Sequence, residues 1–257
     1  MRGCSGSVRL LAVLVLLAGC ASSKPPSGAA NFGVDPKDPL AGTLLMQQGQ
    51  ALVGEGKFSE GMARYRTALQ LQPKNPTIHN LLGVAQLRSG DAAKAVASFN
   101  QALALAPQYS DARNNRGAAY VQLGQFANAE ADFLAVLADQ THANRTSVYF
   151  NLGSLYLARG DLSAAEENLR RAAVASGPVE AYGMLGQVEE KLSKPVQAEA
   201  AYREAIAKAP ERADLMLALG KLLAGSGRND EARDLFRRVM AVAPGSTEAR
   251  QAHALLE

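Results

Sequence analysis

Few residues in this 257-residue chain have side chains and spacing suited to chemistry, and a cysteine is the most conspicuous of them. Cys20 ends an apolar run that is too short to cross a bilayer, because a spanning helix needs about 20 apolar residues. The three histidines, His79, His142 and His253, have no nearby partner at metal-ligand spacing. The sequence also lacks G-x-S-x-G, a glycine-rich phosphate loop and H-E-x-x-H. We therefore predict no metal site, no cofactor, no small-molecule substrate and no enzymatic activity, and we consider covalent modification of Cys20.

The N-terminus has the pattern of a secretory leader. Basic residues precede an aliphatic stretch, which predicts a signal peptide over residues 1–19. The tetrad Leu17-Ala18-Gly19-Cys20 resembles the bacterial lipobox, and this implies cleavage before Cys20 and a diacylglyceryl group on its thiol. In such lipoproteins Ala21, rather than aspartate, implies an outer-membrane location, and we infer the periplasmic face. The alternative is an ordinary secretory signal with an incidental cysteine.

The segment after the cysteine is predicted to be a spacer. Residues 20–41 are rich in Pro, Gly, Ser and Ala and offer little to bury, so we expect a flexible tether behind the lipid. About 20 such residues span roughly 25 Å. Cys4 would leave with the leader, so no disulfide is available and the fold must depend on packing.

The charge balance argues against a nucleic-acid partner. The formal net charge of +3 includes Arg2 and Arg9 of the leader; without them 25 basic and 24 acidic side chains remain. There is no tryptophan, and Tyr and Phe recur at fixed spacing that suggests packing rather than base stacking.

An internal repeat dominates the rest of the chain. Glycines recur at intervals of 34, 34, 36, 33 and 34 residues, at Gly49, Gly83, Gly117, Gly153, Gly186 and Gly220. Twelve residues after each glycine a small residue follows, and four residues later a large one: Tyr65, Phe99, Phe133, Leu169, Tyr202 and Phe236. A 34-residue period with this pattern resembles the tetratricopeptide repeat family, although the tryptophan often found at the fourth position is missing. The resemblance implies an all-α solenoid of helix-turn-helix units.

We divide residues 42–246 into six repeats, followed by a capping helix over 247–257 with Thr247 as its candidate N-cap. The predicted repeats are 42–75, 76–109, 110–145, 146–178, 179–212 and 213–246. The joint between the third and fourth repeats is irregular, because two residues are added and Thr141 replaces the proline that closes most other repeats. We expect a bend or loop there, and we interpret the Asn144 sequon as part of a helix-capping loop.

The resemblance also implies a concave groove lined by the first helix of every repeat. Its predicted partner-binding residues are Met46, Gln50, Val53, Asn80, Val84, Leu87, Asn114, Ala118 and Val121. A mostly apolar groove with amides suits an amphipathic helix or an extended segment. The alternative is that Val84, Leu87 and Val121 pack against adjacent helices. The fifth and sixth repeats carry more charge, so we expect the main contact on repeats one to three.

Taken together, the lipobox, tether, six repeats and irregular joint resemble the pilotin lipoproteins of type IV pili. The stretches 114–133 and 145–161 carry most of this resemblance. It implies a non-enzymatic outer-membrane adaptor, or chaperone, that binds secretin subunits and promotes their assembly into the ring through which the pilus passes, supporting pilus biogenesis and motility. The alternative is a lipoprotein scaffold for cell-wall enzymes or exopolysaccharide export, whose loss would alter the wall rather than the pili.

Overall fold

A computed structural model of the chain describes residues 32–140, 142–174 and 177–257. Regular secondary structure in these residues consists of thirteen α-helices and contains no strand, so the all-α prediction is confirmed. The predicted signal peptide, Cys20 and the first part of the tether lie outside the described residues, as does Thr141. No helix in the described part of the chain is both long and apolar enough to span a bilayer.

The first twelve helices form six consecutive hairpins, each made of a helix A and a helix B. The pairs are α1 (Ala41–Gly54) with α2 (Phe58–Leu71), α3 (Pro76–Arg88) with α4 (Ala92–Leu105), α5 (Ser110–Gln122) with α6 (Phe126–Ala138), α7 (Arg145–Arg159) with α8 (Leu162–Ala172), α9 (Val179–Lys191) with α10 (Pro195–Lys208), and α11 (Ala213–Gly225) with α12 (Asn229–Val242). A final helix, α13 (Thr247–Ala254), follows them. Every helix A begins within one residue of the predicted repeat start.

Close contact between the two helices of a hairpin depends on the periodic glycines. A Cβ added at Gly83 would lie 2.5 Å from Cε1 of Phe99, a ring that is fully buried. The same distance separates a Cβ at Gly117 from the Phe133 ring. Because interiors are close-packed, a larger residue at these positions would force the helices apart. The small-then-large spacing in the sequence therefore encodes the hairpin itself.

The turn between helix A and helix B requires a left-handed residue. Five of the six turns supply glycine, with φ between 70° and 90°, at Gly56, Gly90, Gly124, Gly160 and Gly227. In the fifth repeat Ser193 takes this place with φ 58°, a conformation that costs a non-glycine residue about 1–2 kcal/mol. The fifth turn is therefore the strained one among the described turns.

The hairpins stack into a solenoid in which each helix B packs on helix A of the next unit. Consecutive A helices also approach each other from α1 to α9, whereas consecutive B helices lie further apart. The stack therefore curves, with the A helices on its inner, concave side. Helices α9 and α11 are an exception, because their approach is less extensive than that of the other consecutive A helices.

The structure differs from the sequence prediction at the end of the tether. Residues 32–40 lie against the first hairpin, where Val34 is only 6% exposed and belongs to the core around Leu45. The guanidinium of Arg64 stacks 3.6 Å from the centre of the Phe32 ring. The physical reason is that the first repeat has no preceding neighbour, so these two apolar side chains cover its open end.

Both ends of the irregular joint are fixed by specific hydrogen bonds. Asn144 Oδ1 accepts from the Ser147 backbone N–H at 3.2 Å and caps α7, as the helix-capping interpretation predicts. Arg145 Nη1 donates to the Leu137 carbonyl oxygen at 2.9 Å, which ties the joint to α6.

The capping helix α13 packs on α11 and α12, and Ala252 is buried there. Its N-cap is Ser246 rather than Thr247: Ser246 Oγ accepts from the Ala249 N–H at 3.0 Å. The correction is one residue, and its reason is that Ser246 has the extended backbone that a capping side chain requires.

Candidate functional site

The inner faces of the A helices form the groove that the sequence predicts. We number each repeat so that its aligned glycine is position eight; Asn80, Asn114 and Phe150 are then at position five, and Asn115, Asn151 and Met184 at position six. Position five of one repeat and position six of the next face each other where consecutive A helices approach. The side chains at these two positions decide how much of the groove is open.

A ladder of amides fills the groove between repeats two and four. Asn115 Nδ2 donates to Asn80 Oδ1 at 3.1 Å, and Asn151 Nδ2 donates to Asn114 Oδ1 at 3.0 Å. Asn80 Nδ2 also donates to the Tyr109 hydroxyl at 3.3 Å. In each step position five accepts from position six of the next repeat. We call these four asparagines the amide ladder; their hydrogen bonds to one another tie consecutive repeats together.

Two of the predicted groove residues are not accessible to a partner, and the prediction was wrong for them. Val53 is 6% exposed because it packs across its hairpin, where a Cβ on Gly61 would lie 2.5 Å from Cγ2 of Val53. Asn80 is also 6% exposed, because the amide ladder and Tyr109 surround it.

The other predicted residues divide into packed and open side chains. Met46, Val84, Leu87 and Val121 are half-buried and lie against the cores of repeats one to four, which is the packing alternative considered above. Asn114 is half-buried within the amide ladder. Ala118 is half-buried and Gln50 is exposed. Most of the predicted groove side chains over repeats one to three are therefore engaged in packing or hydrogen bonding within the protein.

The sequence prediction missed a cavity further along the groove. It has a volume of about 330 Å³ and lies between repeats four and six. Its apolar lining consists of Phe150, Gly183, Met184, Tyr202, Leu215 and Ala218. We call it the anchor pocket. Small residues at positions five and six, where other repeats carry Asn, Gln, Met, Leu or Phe, were the signal in the sequence that could have revealed it.

Charged residues form the rim of the anchor pocket. Arg212 donates from Nε and Nη2 to the two carboxylate oxygens of Asp214 at 2.8 and 2.7 Å, and from Nη1 to Glu180 at 3.1 Å. The hydrogen bond from Arg212 lowers the pKa of Asp214 below its ordinary value, and the same contact raises the pKa of Arg212. Both carboxylates are about half exposed, at 55% and 50% of their side chains. Two anions and one cation leave the rim with one net negative charge.

A second charged cluster lies where helix α8 meets the fifth repeat. Glu166 accepts from Arg170 and from Lys194, both at 2.7 Å, and is only 8% exposed. The hydrogen bond from Lys194 lowers the pKa of Glu166. Glu189, 2% exposed, accepts from Arg170 at 3.0 Å, and burial raises its pKa. These contacts join two repeats and have a structural role.

The histidines do not gather into a site in the described residues. His142 packs in the irregular joint with its Nδ1 3.9 Å from Asp111 Oδ1. Across residues 32–140, 142–174 and 177–257 no group of three or more His, Cys, Asp or Glu side chains is arranged to hold a metal ion.

Comparison with protein-family models identifies the repeat. One model described as tetratricopeptide repeat matches residues 46–110 and 114–181, and a second with the same description matches residues 191–256. Together these matches include parts of all six hairpins and the capping helix, and they leave out residues 182–190 of α9.

Two solved structures share the fold over most of the chain. PilW, described as a widely conserved type IV pilus biogenesis factor, superposes with a TM-score of 0.74 at 22% identity, over 82% of this chain and 98% of PilW. The Pseudomonas aeruginosa protein PilF superposes with a TM-score of 0.69 at 20% identity, over 83% of this chain and 96% of PilF. At these identities the likeness establishes a common fold.

Curated relatives in sequence match only part of the chain. The human protein O-mannosyl-transferase TMTC2 is 34% identical over 110 residues, which cover 40% of this chain and 13% of TMTC2. Human TMTC1 is 33% identical over 98 residues, or 38% of this chain and 11% of TMTC1. This chain therefore spans only about an eighth of the length of these relatives.

Proposed function

This chain belongs to the tetratricopeptide repeat family, and we propose on that premise that it is a non-enzymatic adaptor anchored to the periplasmic face of the outer membrane. In this role it binds subunits of a type IV pilus secretin and promotes their assembly into a ring. The observation that carries the proposal is the common architecture with PilW and PilF, which accounts for 98% and 96% of those two chains. The superposition therefore extends over nearly the whole of both of those chains.

The lipobox at Cys20 supports the membrane location. The packing of Phe32 and Val34 on the first hairpin leaves residues 21–31 as the connection between lipid and body. Eleven residues can reach at most about 40 Å, the length of a fully extended chain. A repeat domain tethered close to the membrane meets outer-membrane subunits at a high effective concentration. It can therefore capture them even with a low affinity of the groove. In this proposal the lipid sets the location of the protein and the groove binds its partner.

The test is affinity purification of the lipidated protein from gently solubilised outer membranes, with mass spectrometry of the proteins that co-purify. We expect secretin subunits, and we expect Cys20→Ala to give a periplasmic protein that supports secretin multimers poorly. Recovery of wall hydrolases or polysaccharide-export proteins in place of secretin would favour the scaffold alternative. Normal piliation with Cys20→Ala would show that the lipid anchor is not required for the function.

A matched pair of variants tests whether the partner contacts the middle of the groove or another part of the surface. Ala118→Glu adds a charge at the middle of the groove, whereas Ala200→Glu adds the same charge at an exposed position of α10. Since both replace alanine inside a helix, their effects on helix propensity are similar. We expect only Ala118→Glu to reduce secretin recovery. Equal recovery with both variants would place the contact outside the middle of the groove.

A further inference from the structure

We propose that the anchor pocket receives one apolar side chain, of leucine or methionine type, from a partner segment in which basic residues flank that side chain. The inference rests on the proposed adaptor function and adds the chemistry of the segment that is bound. It also moves the principal contact from repeats one to three, where the sequence suggested it, to repeats four to six.

The pocket exists because two facing side chains are absent. Position five of the fifth repeat is Gly183 and position six of the sixth is Ala218, so no pair of larger side chains fills this step of the groove. Elsewhere this step is filled, by Asn80 with Asn115 for example. Leu215 of α11 packs directly against Gly183, since a Cβ there would lie 2.7 Å from Leu215 Cδ2, and its side chain lines the pocket. The vacancy is therefore specific to one step of the solenoid.

The walls of the pocket suit an apolar side chain. Phe150 and Met184 are half-buried and border it, while Leu215 and Tyr202, 6% and 4% exposed, form its inner surface. A volume of about 330 Å³ is near the lower end of small-ligand sites, which are roughly 300–1,000 Å³. One or two side chains of a segment fit such a space. Met184 is flexible and polarisable, so it can adapt to the shape of the incoming group.

The charged rim of the anchor pocket determines which residues can flank the bound apolar side chain. Arg212 already donates to both Asp214 and Glu180, so its positive charge is satisfied within the protein. Because each carboxylate is half exposed, an oxygen of either can accept from an incoming Lys or Arg. An acidic residue next to the bound apolar side chain would face the net negative rim and be repelled. Charge complementarity therefore favours a basic and apolar segment, and predicts that binding weakens as salt is added.

The experiment uses the lipidated full chain in nanodiscs and three synthetic twelve-residue peptides. Each has a Gly-Ser background; the first carries Leu between two Lys on either side, the second replaces Lys with Glu, and the third replaces Leu with Ser. Methionine methyl groups are labelled with ¹³C, and the Met184 signal is assigned with Met184→Leu. The fully buried Met216 reports whether the fold is intact.

We expect the Lys-Leu peptide to shift the Met184 signal saturably and to bind at least tenfold more tightly than the other two peptides. Ala218→Leu fills the pocket and should weaken this binding at least tenfold, whereas Ala200→Leu, on exposed helix surface, should leave it unchanged. If Ala218→Leu disturbs Met216, then Glu180→Lys, an exposed change, serves instead and should reverse the preference between Lys and Glu peptides.

An unshifted Met184 signal, equal affinity for all three peptides, or tight binding by Glu180→Lys with the original preference would overturn the inference. These outcomes are distinct from a failure of the proposed function. The peptides report on the pocket whatever the natural partner is, whereas recovery of secretin with the unmodified chain tests the identity of that partner.

Discussion

Replacing Asn80 with alanine separates a structural amide from a ligand-binding amide. The sequence placed Asn80 among residues that touch a partner, whereas the structure buries it and gives its side chain two hydrogen bonds. If the amide ladder holds the second and third repeats together, Asn80→Ala must cost folding free energy. If Asn80 instead serves a partner, the variant must lose binding with little loss of stability.

The expected magnitude follows from the two contacts of Asn80. It accepts from Asn115 at 3.1 Å and donates to Tyr109 at 3.3 Å, and each neutral hydrogen bond contributes about 1 kcal/mol net. Asn115 and Tyr109 are half-buried, so water can reach both after the change and no further penalty is added. We therefore expect a loss of about 2 kcal/mol, which for a solenoid of this length corresponds to a lower Tm by about 4–8 °C.

The assay is urea unfolding followed by circular dichroism, with hydrogen exchange to locate the destabilised repeats, because long repeat arrays can depart from two-state unfolding. The exposed Gln50→Ala is the control, and it should change the free energy of unfolding by less than about 0.5 kcal/mol. A double-mutant cycle with Asn115→Ala should give a coupling of about 1 kcal/mol. The reasoning is refuted if Asn80→Ala unfolds like wild type, or if the coupling to Asn115 is absent.

Three further changes test other parts of the fold. Gly117→Ala pushes a methyl group to 2.5 Å from the buried Phe133 ring and should destabilise the protein by about 1–3 kcal/mol in urea unfolding; a neutral result would contradict the close-contact role of the glycine. Ser193→Gly relieves the positive φ of the fifth turn and should raise the free energy of unfolding by about 0.5–1 kcal/mol, net of the entropy that glycine adds to the unfolded chain; a loss would argue against strain. Lys194 lowers the pKa of Glu166 below its ordinary 4.5, so the pair stabilises the fold above that pH and this contribution is lost as pH falls through the lowered pKa. Glu166→Gln should therefore cost about 1 kcal/mol at pH 7 and progressively less in acid, and a penalty independent of pH would contradict the assignment.

The solenoid could be predicted from the sequence because its determinants are local and repeated. The interval between Gly83 and Gly117, and the step from each glycine to the ring it faces, fix both the hairpin and its period. The packing of Val34 could not be predicted, because one apolar residue in a segment rich in Pro and Gly gives no periodic signal. Its burial depends on the open end of the first repeat, a feature of the assembled fold.

The groove was harder to predict than the helices that form it. Position five marks Asn80 and Asn114 as inward-facing, yet only the stacking of successive repeats brings Asn115 and Asn151 within hydrogen-bonding distance of them. The anchor pocket is harder still, because it depends on the missing side chain at Gly183 and on the less extensive approach of α9 and α11. Periodicity indicates which face a side chain occupies, but not whether a neighbour already fills the space beside it.

The central claim, that this groove holds a secretin subunit, is tested most directly by photo-crosslinking in cells. A photoreactive amino acid replaces Met184 at the edge of the anchor pocket, or Val196, which is 77% exposed on helix B of the same repeat. The account predicts a crosslinked secretin subunit from position 184 and none from position 196. Crosslinking of secretin from position 196 alone, or from neither position while pili assemble normally, would contradict it.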